Sequence, residues 1–502
     1  MNSNTKGEEN VTACFQFTSN SIQLAASFEI LAGWSELQEY SLNYYWLGAS
    51  TKYPSRMSRG LDTLNFPTQR FPKSISAAIK RNDFKNIREI SSITQFSQID
   101  ECILALKNQL RSLNSVQNFS KIEFLGICPG GALANSFVYE TGRRDFDYDR
   151  DEGIITLLLY SYLQVYFYVK NEIQNYKINR ALIYNGRFLH ERASWDACKS
   201  LNVETFLFET TRNRYHLREN EGFHDRVVNQ RLMKELWRRK SLELSKEELI
   251  DFGSRYFREL ESTRNRFYQE SIRGKFLSNE LSYFVFYSNS DDEAVGFWDS
   301  WTEPFMEQID LIEELQLFFE SRRREHLYVR LHPNLATKSQ EEKLRWEKLQ
   351  SKEFSTVIAP EEPLSSYTLL KGSRGVISYG STIGIEAAFH SKPSAILADC
   401  WYDELEVADK LSNLNDIFQW IENIDLNFNE TKLQERRERS LIRGLWLELS
   451  GNHFENCDMS ELGWGSWEVE KFKGVKIARP KTLVAISILV NRMKRRRRGL
   501  QA

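Results

Sequence analysis

His332 and Glu209 are the two side chains of this sequence whose types and settings suit charge-stabilising and acid–base chemistry. His332 closes the apolar run Leu327–Leu331 and precedes Pro333, whose fixed φ and missing donor suit the start of a helix. An imidazole placed there, past the end of a strand, can donate to a phosphate or sugar-phosphate oxygen. A second run, Gly375–Ser378, leads into Gly380, Ser381 and Thr382, with Gly384 and Glu386 behind them. Gly380 permits a tight turn, Ser381 or Thr382 can cap the next helix, and free N–H groups at a helix start attract anions. Glu386 lies four residues past Thr382, on the same helical face, where it can accept from ribose hydroxyls. Two such strand ends in one parallel sheet make a site for a phosphorylated ligand.

Glu209 follows the apolar run Glu204–Phe208. Partial burial at a strand end raises a carboxyl toward the range a general base needs. Asn185 and Arg187 follow the run Arg180–Tyr184, and Arg212 follows Glu209. The arginines can hold acidic groups of a substrate, or one of them can form a structural ion pair with Glu209. Gly130 and Gly131 follow Ile122–Cys128 and let a substrate approach the backbone, without the GxGxxG pattern or a P-loop lysine. The acidic run Asp145–Glu152, with Asp147, Asp149 and Asp151, fails as a calcium loop. Arg150 replaces its central glycine and Thr156 its closing glutamate. His190, His216 and His224 lack a three-ligand spacing, so no metal is expected.

The elements that position these residues alternate between apolar runs and helical periods. Strands are expected at Ile122–Cys128, Arg180–Tyr184, Glu204–Phe208, Leu281–Tyr287, Leu327–Leu331, Gly375–Ser378 and Ser394–Leu397. Helical segments between them imply parallel sheets. At 502 residues the chain is too long for one ordinary core. The expected division is a mainly helical extension over 1–115, with helices over 83–97 and 98–113, then a first parallel-sheet lobe with charged linker helices over 116–275. A second parallel-sheet lobe over 276–425 and a helical segment with a basic tail over 426–502 complete it. The net charge of -2 gives nucleic acid no foothold. Six scattered cysteines without a CxxC pair point to a reducing compartment. The polar stretch 1–10 does not read as a secretion signal, and no apolar run reaches 18 residues. Near the end, Thr482–Val490 is followed by Arg492, Lys494 and Arg495–Arg498. The readings are a last core helix with a solvated tail, a contact for an anionic membrane surface, or a site for a polyanionic product or nucleic acid.

At these motifs the chain resembles the capsule-polysaccharide biosynthesis glycosyltransferases, including the 3-deoxy-manno-octulosonic acid (Kdo) transferase group. It is more distantly similar to CDP-glycerol glycerophosphotransferases and bacterial sialyltransferases. Ser381–Ala388 with Lys392-Pro393 looks like the capsule group in particular. The resemblance spans roughly 120–410 and implies an α/β, GT-B-like fold: two Rossmann-like parallel-sheet lobes with an interdomain cleft, plus extra helical N- and C-terminal segments. It implies that His332-Pro333 and Ser381-Thr382 contact a cytidine nucleotide's phosphate, and that the first lobe supplies the base carboxylate. The implied activity moves a sugar from a nucleotide-activated donor, with CMP-linked donors favoured, to a surface or capsular polysaccharide or glycolipid. The donor is a co-substrate, no cofactor is expected, and the setting is cytoplasmic or peripheral on the membrane's inner face. A CDP-alditol phosphotransferase, a nucleotide-sugar 2-epimerase and a non-catalytic glycan-assembly protein are the alternatives.

Overall fold

Val11–Gln16 forms a strand, β1, whose six residues are all buried although Thr12 and Gln16 are polar. A strand in the middle of a parallel sheet is covered on both faces, which explains why β1 does not alternate. It appears in a computed structural model that describes residues 11–17, 21–37, 41–46, 86–89, 97–113, 115–141, 143, 146–265, 281–289, 301, 304–337, 340–362, 364–463 and 466–476. The chain divides into two units, Met1–Phe223 with Gly451–Ala502, and His224–Ser450.

In the first unit β1 pairs in parallel with β2 (Ser41–Trp46) on one side. On the other side it pairs in parallel with β4 (Arg180–Tyr184). β3 (Asn86–Glu89) extends the sheet beyond β2, and β5 (Glu204–Thr211) extends it beyond β4, both in parallel. β6 (Arg214–Glu219) returns antiparallel to β5, and a short strand at Asn452–His453 closes that edge. The region expected to be a helical extension therefore supplies the sheet's centre and one edge. Buried Thr12, Gln16 and Asn43 conceal β1 and β2 from a reading based on apolar runs. β3 falls inside the expected helix 83–97, whereas the expected helix 98–113 is present as Gln98–Arg111.

The expected strand Ile122–Cys128 is instead a turn with a single bridge between Phe124 and Ile127. Leu125 and Gly126 both take positive φ, 54° and 74°, which breaks an extended run. The long helix Tyr148–Tyr176 follows its N-cap Asp147, whose Oδ1 accepts from the Arg150 N–H at 3.0 Å.

The second unit holds β7 (Tyr283–Tyr287), β8 (His326–Arg330), β9 (Ser355–Ile358), β10 (Gly375–Ser378), β11 (Ser394–Ile396) and β12 (Asp409–Lys410). Their order is β12-β11-β10-β7-β8-β9, and every pairing is parallel. Phe284, Phe286, Leu327, Val329 and Ile377 pack on the helix Gln308–Arg322 to form its main core. The α/β class with two parallel-sheet units is thus as the sequence implied.

The domain limits differ from those expected. The charged helices Arg226–Glu243 and Lys246–Asn265 belong to the second unit. So does Glu430–Leu449, which crosses the second of them where Gly253 and Gly444 bring two backbones into contact. From Gly451 the chain belongs to the first unit. There a hairpin, Cys457–Gly463 with Ser466–Phe472, replaces the expected helix. Phe472 packs on Phe28 with ring centroids 5.5 Å apart, and Glu29 accepts from the N–H groups of Glu455 and Asn456 at 2.7 and 2.9 Å. The basic tail lies outside the described residues. No helix among the described residues is long and apolar enough to cross a membrane.

Candidate active site

In the second unit, β7 lies between β8 and β10, so the ends of those two strands stand about 10 Å apart at ordinary strand spacing. Ser288, the first residue after β7, joins them. Its N–H donates to the Arg330 carbonyl at 3.2 Å, and its Oγ accepts from the His332 N–H at 2.8 Å. On the other side the Tyr379 N–H donates to the Tyr287 carbonyl at 3.3 Å. His332 is half-buried and Pro333 exposed, and Pro333 opens a short 3-10 turn to Thr337, as its lack of a donor allows.

Gly380 takes φ +73°, and a Cβ there would lie 2.8 Å from the Asp399 carbonyl oxygen. The position therefore requires glycine both for conformation and for space. The helix Ile383–Phe389 begins just beyond, with Thr382 at its N-cap. Among the described residues, nothing accepts a hydrogen bond from the N–H groups of Ser381 or Thr382. Those donors, the Ser381 hydroxyl and His332 occupy one edge of one sheet.

Glu386 does not join them as a sugar ligand. It is 1% exposed, and it accepts from Thr382 Oγ1 at 3.1 Å and from the Tyr367 hydroxyl at 2.6 Å. Its carboxylate fixes the helix start from inside instead of reaching ribose.

In the first unit Glu209 is half-buried, two residues before the end of β5, and is held by donors on both oxygens. The Tyr184 hydroxyl and the Thr210 N–H donate to Oε1 at 2.6 and 2.9 Å, and Asn185 Nδ2 donates to Oε2. Burial raises the Glu209 carboxyl above its ordinary value, against the pull of those donors and of the Arg187 charge. Asn185 is buried with φ +56°, and its Oδ1 accepts from the Arg187 N–H at 3.1 Å. Expected to bind substrate, Asn185 instead orients the carboxylate, because its side chain is spent on Glu209 and on its own turn.

Arg212 occupies the two-residue turn between β5 and β6 with φ +54°, three residues beyond Glu209. Gly130 and Gly131 open the helix Gly130–Thr141. Gly130 is buried, and its N–H donates to the Ile122 carbonyl at 3.3 Å. The close approach it permits is of the chain to itself, not to a substrate. Asp147 is a helix cap, Asp151 is clasped by Arg143 and Arg150, and Asp149 pairs with Arg111 at 3.3 Å. No cluster of metal-ligand type occurs among the described residues.

Tyr184 and Ser288 were not singled out by sequence. Both signals were present, since each is a polar-tipped residue at the carboxyl end of a recognisable strand.

No protein-family model matches the sequence, and no curated protein matches it. Several solved structures share part of the fold. The KpsC beta Kdo 2,4 transferase of Thermosulfurimonas dismutans is 12% identical over 52% of this chain and 79% of its own, with a TM-score of 0.35. UDP-GlcNAc 2-epimerase from Neisseria meningitidis, solved with UDP-GlcNAc, is 10% identical over 88% of this chain and 97% of its own, with a TM-score of 0.33. A glycosyltransferase from Rickettsia africae is 9% identical over 88% and 96%, with a TM-score of 0.30. Likenesses this distant transfer no activity to the chain.

Proposed function

We propose that the protein is a glycosyltransferase of GT-B type that moves a sugar from a nucleotide-activated donor, CMP-linked, to a surface or capsular polysaccharide or a glycolipid. The observation that carries this reading is the second unit's sheet edge, where His332 and the N–H groups of Ser381 and Thr382 stand at the ends of β8 and β10. Donors fixed in advance stabilise charge that develops on a leaving phosphate. In this reading His332, the two N–H groups and the Ser381 hydroxyl offset the charge on the departing nucleotide, without a metal. Glu209 takes the proton from the acceptor hydroxyl as its oxygen bonds to the sugar's anomeric carbon. Burial raises this carboxyl above its ordinary value, the direction that suits a general base. Tyr184 and Asn185 hold it in one orientation. The basic residues after Val490 are the proposed contact with an anionic membrane surface.

A thermal-shift and saturation-binding screen against CMP, CDP, UDP, GDP and ADP tests the assignment. Selective binding of CMP is expected. Selective CDP binding would favour a CDP-alditol phosphotransferase, and UDP or GDP would remove the cytidine assignment. A folded sample that binds none of the five would overturn the transferase reading in favour of a non-catalytic glycan-assembly protein.

A further inference from the structure

Trp401 stands in the loop that follows β11, and residues on both sides of it touch the Gly380–Ser381 turn. Before it, the Asp399 carbonyl oxygen lies 2.8 Å from where a Cβ would stand on Gly380. After it, the Tyr402 hydroxyl donates to the Ser381 carbonyl. The loop starts against β10 as well, since the Leu397 N–H donates to the Ser378 carbonyl at 3.0 Å. Trp401 therefore belongs to the same edge of the second unit's sheet as the N–H groups of Ser381 and Thr382. It lies on the β11 side of them, whereas His332 lies on the β8 side.

Trp401 does not stand alone. It is half-buried and packs edge-to-face with half-buried Trp301, the ring centroids 4.9 Å apart and the planes at 77°. His224 braces both rings. Its imidazole lies 5.8 Å from Trp401, and its carbonyl accepts from Trp301 Nε1 at 3.0 Å. Charged groups fix the loop itself: Arg226 and Lys410 each pair with Asp399 and Asp403. Gln230 Nε2 adds a hydrogen bond to the Cys400 carbonyl at 3.2 Å. Two large rings are thus held in place beside donors suited to a phosphate.

A nucleotide sugar held there by its phosphate extends two ways along the sheet edge, its nucleoside in one direction and its sugar in the other. Rings at 77° make a corner and not a slot, so they do not close on both faces of a flat base. A pyranose has different needs, because its C–H face is apolar while its rim carries hydroxyls. One indole face covers the first, and a few polar groups beside it meet the second. We propose that Trp401, with Trp301, is the stacking site for the pyranose ring of the donor, whose nucleoside extends toward His332. This placement rests on the reading of the Gly380–Thr382 edge as the phosphate site.

Saturation-transfer NMR of the full chain tests it, with free Kdo, N-acetylneuraminic acid and N-acetylglucosamine as pyranose probes and cytidine as the nucleoside probe. At least one pyranose should receive saturation on its ring protons, in wild type and in His332→Ala alike. Trp401→Ala should bind that sugar about tenfold more weakly, the scale of a lost stacking contact, and should leave the cytidine response as it is in wild type. Trp401→Leu keeps apolar bulk without an aromatic face and replaces the alanine variant if that chain unfolds.

No signal from any of the three sugars would overturn the proposal, as would a sugar signal unchanged by the loss of the Trp401 indole. A weakened cytidine response with the sugars unaffected would also overturn it, by making the corner a nucleobase site. Free sugars carry no nucleotide, so the two readings fail separately. A Trp401-dependent sugar signal in a protein that binds none of the five nucleotides would sink the transferase reading alone. CMP binding without such a signal would sink the sugar site alone.

Discussion

The carboxyl ends of the two sheets treat polar groups in opposite ways. In the second unit the acidic side chains are tied down: Glu386 by Thr382 and Tyr367, and Asp399 by Lys410 and Arg226. At the ends of β8 and β10 there stand His332 and the backbone N–H groups of Ser381 and Thr382. In the first unit the chain holds charge of its own, with Glu209 surrounded by donors and Glu191 deprived of them. In the proposed reading the first arrangement receives negative charge that arrives with a ligand, and the second takes up a proton. A transferase needs both, one for the leaving group and one for the acceptor.

The largest expected effect comes from removing the first unit's charge. Glu209→Gln should lower transfer turnover by roughly 10²–10⁴-fold, the usual worth of a general base, while circular dichroism stays unchanged. A loss below about tenfold would move the base elsewhere.

The next effect concerns stability and separates Glu191 from every well-satisfied carboxyl in the protein. Its ordinary value is 4.5 and its folded value about 8. Between these the folded chain holds a proton that the unfolded chain has released. The contribution is therefore fully present below about pH 4.5, is lost as pH rises, and levels off above about 8. Urea unfolding of wild type against Glu191→Gln should diverge by about tenfold in the folding equilibrium per pH unit across that window. Parallel curves would show that Glu191 is ionised in the folded protein.

In the second unit, His332→Ala should cost roughly 10²-fold in turnover, the scale of one preorganised donor, with little change in the thermal midpoint. Persistence of activity within about twofold would remove His332 from the mechanism. Smallest is Gly380→Ala, where a forced φ of +73° and a Cβ 2.8 Å from the Asp399 carbonyl should destabilise the protein by about 1–3 kcal/mol. Calorimetric unfolding would read it, and an unchanged midpoint would mean that the turn relaxes freely.

The same contrast decides what the sequence disclosed. The second unit was legible because its strands are short apolar runs that stop at polar or glycine residues, and β10 has the bounds expected of it. Helix Ile383–Phe389 and the glycine turn before it followed from Gly380 and Thr382 alone. The first unit was obscured by buried polar residues. Thr12, Gln16 and Asn43 made central strands look exposed, and Leu125 and Gly126 turned an apolar run into a bend. Glu209 was legible as a carboxylate at a strand end. Glu191 was not, because an acidic residue in the first turn of a helix ordinarily faces solvent and complements the helix dipole. Only burial shows it to be different.

Calorimetric titration of CMP into wild type, His332→Ala and Glu209→Gln addresses the division of labour directly. The account predicts that His332→Ala weakens CMP binding by about tenfold, one charged hydrogen bond's worth, while Glu209→Gln binds CMP as the wild type does. Equal weakening in both variants, or none in His332→Ala, would contradict the assignment of leaving-group binding to one unit and proton transfer to the other.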